Sequence, residues 1–255
     1  MSYPKNPVSL KIWENGVIGD FAKHSDRWNE YDDHIKVIVV IFNAFMAGKG
    51  FYVPLDWKFV KAMTWVETGA NALNDAWAIR PMQIGNKGDR GMLDLFTSPQ
   101  GKLVMPPQFV PGVNLQNAGA IGRLNIIAGV AYLLRRLGNF GVTFAPIPTS
   151  EQIRLVPIDG PSGIIGNVDE RRPGAVMDSM TGSAIPLKTP LARTIHHPAV
   201  QHSKPHGSPK VKGYMGIISW KPLTVDFVAK YYNGGGDGNY ADKLTFAYKM
   251  VKSTS

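Results

Sequence analysis

Glu67 is the side chain in this sequence whose surroundings best suit acid–base chemistry. A helical pattern starts after Asp56, which can cap a helix N-terminus, and Gly69 supplies a stop just beyond the glutamate. A carboxylate in the last helical turn lies near the negative end of the helix dipole, and the apolar neighbours Met63 and Trp65 disfavour its ionisation. Both effects raise the pKa of Glu67, and a carboxyl group protonated near neutral pH can act as a general acid on a glycosidic oxygen. Taken alone, such a residue is more often an exposed glutamate at a helix end.

Two further segments carry polar groups that can bind a sugar. Residues 80–85 (Arg-Pro-Met-Gln-Ile-Gly) predict a short apolar strand or turn with one amide side chain, Gln83. Residues 229–236 run from a predicted helix into three glycines, which allow the backbone to approach a ligand closely. Tyr232 and Asn233 would then overhang a cleft.

Four motifs, in this order, resemble the lysozyme-like domain of soluble lytic transglycosylases and goose-type lysozymes, which cleave the glycan strands of peptidoglycan. The family's Glu-Ser pair corresponds to Glu-Thr at 67–68, and its Gly-Leu-Met-Gln stretch to Arg-Pro-Met-Gln at 80–83. Its core helix corresponds to residues 125–133, and its Ala-Tyr-Asn-Gly run to Tyr-Tyr-Asn-Gly at 231–234. The Arg-Pro pair departs from the family pattern and alters the expected shape of the sugar site.

The resemblance implies a mainly α, lysozyme-like (lytic transglycosylase) fold that cleaves the MurNAc–GlcNAc bond without a cofactor. Glu67 would be the catalytic residue: it protonates the leaving oxygen, then removes a proton from the sugar's own C6 hydroxyl to close an anhydro ring. Tyr232 would orient Glu67 or the sugar's acetamido group. The residues implied in substrate binding are Thr68, Met82, Gln83, Tyr232 and Asn233.

Hydrolysis is the alternative chemistry, as in a goose-type lysozyme or a phage endolysin. Ordinary glycoside hydrolases pair the acid with a second carboxylate, for which Asp75 and Asp89 are the candidates. Both also have a structural interpretation, since Asn-Asp at 74–75 is a turn pair and basic neighbours can hold Asp89. A second alternative is a non-catalytic peptidoglycan-binding protein with the same cleft.

Composition narrows the classes of function. The 255 residues include no cysteine, which excludes disulfides, a thiolate nucleophile and cysteine metal sites. Lys and Arg outnumber Asp and Glu by 28 to 19, which favours an acidic partner. Because no known nucleic-acid-binding motif is present, peptidoglycan, whose peptides carry carboxylates, suits this charge better than nucleic acid. The richest apolar run, residues 35–46, is too short to span a membrane.

Helical periodicity predicts a helical domain that an irregular insertion interrupts. The predicted helices comprise residues 33–48, 56–68, 118–137, 224–232 and 239–252, and residues 1–32 are predicted to be an irregular lead-in. The catalytic domain would comprise residues 1–141 and 213–255. Residues 142–212, rich in proline and glycine, would be an insertion of unknown role that could contain β-strands at 153–158 and 183–187.

Four of the six histidines cluster within residues 196–206 of this insertion, which suggests a metal site. Prolines prevent a helix from presenting them on one face, and no Glu or Cys accompanies them. A solvated loop is therefore favoured, and no metal site is predicted.

The N-terminal residues 1–8 lack the apolar core of a secretory signal. We therefore expect synthesis in the cytoplasm and action in the periplasm or cell wall after delivery by a secretion system. Lysozyme-like domains of this arrangement resemble antibacterial effectors of type VI secretion, as well as phage endolysins. For an effector, the resemblance implies a cognate immunity protein that plugs the cleft.

Overall fold

Helices make up most of the structure. The computed structural model describes residues 4–69, 75–86, 89–146, 211–234 and 236–254, and the larger of its two compact units comprises residues 1–145 and 212–255. The helices and strands are α1 (Pro7–Asn29), α2 (Asp32–Met46), α3 (Trp57–Glu67), α4 (Ala76–Ile79), α5 (Arg90–Thr97), α6 (Pro99–Val104), α7 (Gly122–Leu137), β1 (Gly138–Pro146), β2 (Val211–Trp220), α8 (Val225–Tyr231) and α9 (Tyr240–Thr254). The prediction of a mainly α fold is confirmed.

Strands β1 and β2 pair with each other where the insertion was predicted to begin and end. They run antiparallel, since the Asn139 side chain donates to that of Ser219 whereas Thr143 reaches the carbonyl of Tyr214. The predicted boundaries at 142 and 212 therefore fall inside strands. The predicted strands at 153–158 and 183–187 and the clustered histidines lie outside the described residues.

The prediction of an irregular segment over residues 1–32 is wrong, because α1 occupies most of it. Asn6 caps the helix with its side chain, and a proline occupies the first turn. Of its own residues only Val17 and Trp28 are buried, so the sequence lacks the continuous apolar stripe by which a helix is recognised. The helix also departs from helical geometry at His24 (φ −135°, ψ 40°), which further weakens its periodicity.

Helix α3 lies in the core, packed against α2 and α9, and it carries Glu67 at its end. The predicted cap and stop are both observed: the Asp56 side chain accepts the backbone N–H of Lys58, and Gly69 has a φ of +71°. Residues 59–65 are all buried, so the helix is covered on every side rather than on one face. Glu67 therefore lies at the end of a helix whose preceding turns are held in the core.

Helix α7 holds the turn that follows Glu67 in sequence. The buried side chain of Asn125 accepts the N–H of Met82 at 2.9 Å and donates to the carbonyls of Ile84 at 2.7 Å and Ala118 at 2.8 Å. Gly129 lies directly against Met82, since a Cβ at this position would come within 2.6 Å of the Met82 Cβ. The asparagine and the glycine of the 125–133 motif thus fix the position of the turn.

The apolar run at residues 35–46 belongs to α2, and one side of it faces the core, while Val37 and Val40 are exposed. Its buried residues are Ile35, Ile38, Val39, Phe42 and Met46. Among the described residues, no helix combines the length and the apolar character that a membrane crossing requires.

Candidate active site

A cavity of about 430 Å³ opens beside the end of α3. The residues that line it are Glu67, Met82, Gln83, Ile84, Asn86, Asp89, Tyr132, Tyr232 and Asn233. The structure therefore brings most of the residues singled out from the sequence to one place, although they come from three distant segments of the chain. Of the residues singled out, Thr68 and Asp75 do not line the cavity.

The carboxyl group of Glu67 has the electrostatics of a general acid. Burial raises its pKa from the ordinary value of 4.5 to about 7. The hydrogen bond from Tyr240 opposes this rise, whereas the negative charge of Asp237 adds to it. Both the protonated and the ionised forms are therefore populated near neutral pH. A group in this condition can both give and accept a proton near pH 7.

Tyr240, at the start of α9, holds the carboxyl group of Glu67. Its hydroxyl donates to Oε1 at 2.5 Å, and the side chain is 2% exposed. Burial and the charge of Glu67 raise the pKa of Tyr240 well above its usual value of 10, so it remains a donor throughout the neutral range. Tyr240, and not Tyr232 as expected, therefore makes the contact that orients Glu67. The Tyr232 hydroxyl donates instead to the carbonyl of Met82.

Gln83 presents its amide to the cavity from a left-handed backbone conformation, with φ +51°. Its Nε2 donates to the Thr68 hydroxyl at 3.0 Å, and its Oε1 accepts from Asn86 Nδ2 at 3.1 Å. The Thr68 hydroxyl in turn contacts the carbonyls of Arg80 at 2.9 Å and Pro81 at 3.2 Å. Thr68, expected to bind substrate, therefore lies behind Gln83 and orients it. A left-handed non-glycine residue persists only where its surroundings enforce it, and such residues cluster at functional sites.

Tyr232 and Asn233, which directly follow α8, also line the cavity. The ring of Tyr232 packs edge-on against Tyr132, with 5.4 Å between ring centroids, and burial raises its pKa well above 10. Gly234 has a φ of +70°, which turns the chain away immediately after Asn233. In the described structure Asn233 Nδ2 is buried without a hydrogen-bond partner. An oxygen of a bound ligand could satisfy this donor.

The two predicted second carboxylates occupy different environments. Asp89 lines the cavity, but both of its oxygens are engaged: Oδ1 accepts from Gly91 N at 2.7 Å and Oδ2 from Gly85 N at 2.8 Å. It caps α5 and closes the loop that precedes it. Asp75 precedes α4, is exposed, and makes no side-chain cap bond.

A third carboxylate, Asp237, was not singled out from the sequence. Its charge acts on Glu67, yet its oxygens accept from Asn239 N at 2.8 Å and from Lys243 Nζ at 2.7 Å. The lysine balances its charge, and Asp237 does not line the cavity. Glu67 is therefore the acidic side chain whose carboxyl group is available to a ligand in this cavity.

Sequence reasoning also missed Tyr240 and Tyr132 as site residues. Both were placed on predicted helices, Tyr240 by its spacing from other apolar residues and Tyr132 as part of the 125–133 motif. Periodicity cannot separate a buried tyrosine that packs from one whose hydroxyl serves a site. Within the ranges that the structure describes, no cluster of three His, Asp or Glu side chains could hold a metal ion.

Comparison of the chain with protein-family models, with curated proteins and with solved structures finds no match. The cavity places Glu67, whose carboxyl group can exchange a proton near neutral pH, beside walls of amide, hydroxyl and aromatic groups.

Proposed function

We propose that this protein cleaves the MurNAc–GlcNAc bonds of peptidoglycan glycan strands as a lytic transglycosylase, with Glu67 as its single acid and base. The observation that carries this proposal is a glutamate at the end of a core helix that lines an open cavity and is held there by Tyr240, with burial raising its pKa to about 7. The walls suit a sugar polymer, because amides can bind acetamido groups and aromatic rings can pack against pyranose faces. The four motifs that resemble lysozyme-like enzymes support the same assignment.

In the first step, protonated Glu67 donates its proton to the glycosidic oxygen while the bond from that oxygen to C1 of the muramic acid breaks. Tyr240 remains hydrogen-bonded to Glu67 and stabilises the carboxylate that is left. In the second step, this carboxylate removes the proton of the C6 hydroxyl as the C6 oxygen bonds to C1. The anhydro ring closes and Glu67 regains its proton. One carboxyl group suffices because a pKa of about 7 makes both of its forms accessible.

The other residues of the cavity would bind and orient the sugars. Gln83 and Asn233 would hydrogen-bond acetamido and hydroxyl groups. Met82, expected to contact the substrate, is only 1% exposed and would instead position Tyr232, whose hydroxyl donates to its carbonyl. Tyr232 would shape the wall beside the muramic acid. Thr68 would act through Gln83, whose amide it orients.

The test compares wild type with Glu67→Gln on purified peptidoglycan, with the soluble fragments analysed by mass spectrometry. Glutamine keeps the shape of the side chain and removes the acid, so anhydro-ended fragments should disappear. Glu30→Gln, which neutralises an exposed glutamate just after α1, is the matched control and should release fragments like wild type. Full activity of Glu67→Gln would refute the proposal.

Hydrolysis in the manner of a goose-type lysozyme or phage endolysin is the second candidate, and the observation in its favour is that Asp89 lines the same cavity. It predicts reducing-ended fragments instead of anhydro-ended ones. It also predicts that Asp89→Asn abolishes cleavage in a protein that still folds. If wild type binds several wall types without releasing any fragment, a non-catalytic peptidoglycan-binding protein is the better account.

We also propose that the protein acts in the periplasm or cell wall as an antibacterial effector, delivered by a type VI secretion apparatus and neutralised by an immunity protein that blocks the cavity. Directing wild type to the periplasm of a sensitive bacterium should cause lysis, and the Glu67→Gln variant should not. Harmless accumulation of wild type there would contradict this.

A further inference from the structure

A second cavity, of about 300 Å³, carries a concentration of positive charge. The residues that line it are Gln100, Arg135, Arg136, Phe140, Lys221 and Tyr231. Three of the six are cationic, and two of the others are aromatic. We call this the basic cavity.

The basic cavity adjoins the cavity of Glu67 through two pairs of residues. Tyr132 lines the Glu67 cavity and Arg136 the basic one, and they lie one turn apart on α7, roughly 6 Å along its axis. The Arg136 guanidinium lies 5.9 Å from the centre of the Tyr132 ring. Tyr232 lines the Glu67 cavity, and its neighbour in sequence, Tyr231, lines the basic cavity. Arg136 Nε donates to the Tyr231 carbonyl at 2.9 Å. A ligand in one cavity is therefore close to the other.

The charges of the basic cavity are only partly balanced by the protein. Of these three cations, only Arg135 is paired with a carboxylate within the described residues. Its partner is Asp94, 3.4 Å away, whose side chain is 54% exposed. Arg135 Nε is buried without a hydrogen-bond partner. Lys221 Nζ donates to the backbone carbonyls of Arg136 and Gly138, which are neutral acceptors. The cavity thus retains net positive charge and an unsatisfied guanidinium N–H.

We propose that the basic cavity binds a carboxylate of the stem peptide on the strand whose sugars occupy the Glu67 cavity, an inference that rests on the proposed function. Guanidinium groups form paired, charge-assisted hydrogen bonds with carboxylates, and Arg135, whose buried Nε has no partner in the protein, lines this cavity. Tyr231 and Phe140 offer apolar surface to the carbon atoms of the peptide. The stem branches from the muramic acid itself, so the short distance between the cavities matches its attachment. The enzyme would therefore prefer strands that still bear their peptides.

The test measures cleavage of two substrates: peptide-bearing glycan strands, and the same strands after an amidase has removed the peptides. The variants are Arg135→Gln and Arg135→Lys, with Arg123→Gln as control. Arg123 is exposed in the first turn of α7 and lines neither cavity, so its loss removes one charge from the same helix without changing the lining of either.

Arg135→Gln should raise the half-saturating concentration of peptide-bearing strands about tenfold and leave the maximal rate unchanged, whereas Arg135→Lys should recover part of the loss. Both variants should match wild type on stripped strands, and the control should match it on both substrates. An equal loss on both substrates, or no loss on peptide-bearing strands, would overturn the proposal.

Binding of a free acidic stem peptide, measured by calorimetry, separates this inference from the proposed function. If wild type cleaves neither substrate but binds the peptide in an Arg135-dependent manner, the basic cavity stands and the cleavage proposal fails. If it binds inorganic phosphate at the same ionic strength and not the peptide, the cavity serves phosphate groups and the inference is overturned.

Discussion

Replacement of Tyr240 by phenylalanine tests whether the proton of Glu67 controls the reaction. The change removes one hydroxyl group, the donor to Glu67 Oε1 at 2.5 Å, and keeps the buried ring. The hydrogen bond favours the ionised carboxylate and so lowers the pKa of Glu67. Without it, burial acts unopposed and the pKa must rise.

The size of the change follows from the charge on the acceptor. A hydrogen bond to a charged group contributes about 1.5–3 kcal/mol, and one pKa unit corresponds to about 1.4 kcal/mol. The pKa of Glu67 should therefore move from about 7 to roughly 8–9. Because the acid form performs the first step, the alkaline limb of the activity profile should move upward by about one to two pH units. The maximal rate should fall up to about tenfold, since the weaker acid donates its proton less readily.

The assay combines the pH dependence of fragment release with a titration of Glu67 by carbon NMR in protein labelled at glutamate. The chain has five glutamates, and the signal that is missing in Glu67→Gln identifies the one of interest. Tyr248→Phe is the matched control. Tyr248 also lies on α9, and its hydroxyl donates to the carboxylate of Asp56 at 2.6 Å, outside the cavity. It should leave the titration and the alkaline limb unchanged.

Two results would refute this reasoning. If the NMR titration of Glu67 does not move in Tyr240→Phe, the hydroxyl does not hold the carboxyl group in solution. If the titration moves but the alkaline limb does not, a different group controls the reaction.

Three further substitutions test the physical basis of the site. Glu67→Gln should match wild type in stability near pH 4 and exceed it by about 3 kcal/mol above pH 8, as measured by urea unfolding. The sign follows because the pKa of Glu67 is about 7 in the folded protein and exceeds the ordinary value of 4.5. The contribution of Glu67 to the stability of wild type is therefore complete below pH 4.5 and is lost as the pH rises through 7. Equal stability of the two proteins at both pH values would contradict this reasoning. Asn125→Ala should lower the free energy of unfolding by about 3 kcal/mol, because it removes three buried hydrogen bonds and leaves the N–H of Met82 without a partner. A loss under about 1 kcal/mol would show that water replaces these bonds. Gly129→Ala should lower both the melting temperature and the rate of fragment release, because its Cβ would meet the Met82 side chain at 2.6 Å, and unchanged cleavage would mean that the turn tolerates displacement.

The features that sequence predicted well depend on neighbours along the chain. Capping of α3 by Asp56 and its end before Gly69 involve residues within a few positions, so local pattern suffices to place Glu67 in the last turn. The apolar stripes of α2 and α7 likewise repeat at helical spacing. The raised pKa of Glu67 was predicted from the same local information, through its apolar neighbours.

Helix α1 shows the limit of local patterns. Its buried residues are few, and it is anchored by contacts such as that of Asn6 with Asn239, 233 positions away. Short helices α4, α5 and α6 offer too few turns for a periodic signal. Packing against distant elements stabilises these helices, and no local pattern records such packing.

The sequence by itself determined that an acid stands at the end of a buried helix and that amide and tyrosine side chains occur in two later segments. Only the tertiary structure decided which of them meet. The hydroxyl that holds Glu67 comes from a residue 173 positions away, Thr68 turns out to orient Gln83, and Asp89 is engaged by backbone N–H groups. The physical reason is that helix formation and capping depend on hydrogen bonds between near neighbours, whereas a cavity and the pKa values within it depend on groups that folding brings together from across the chain.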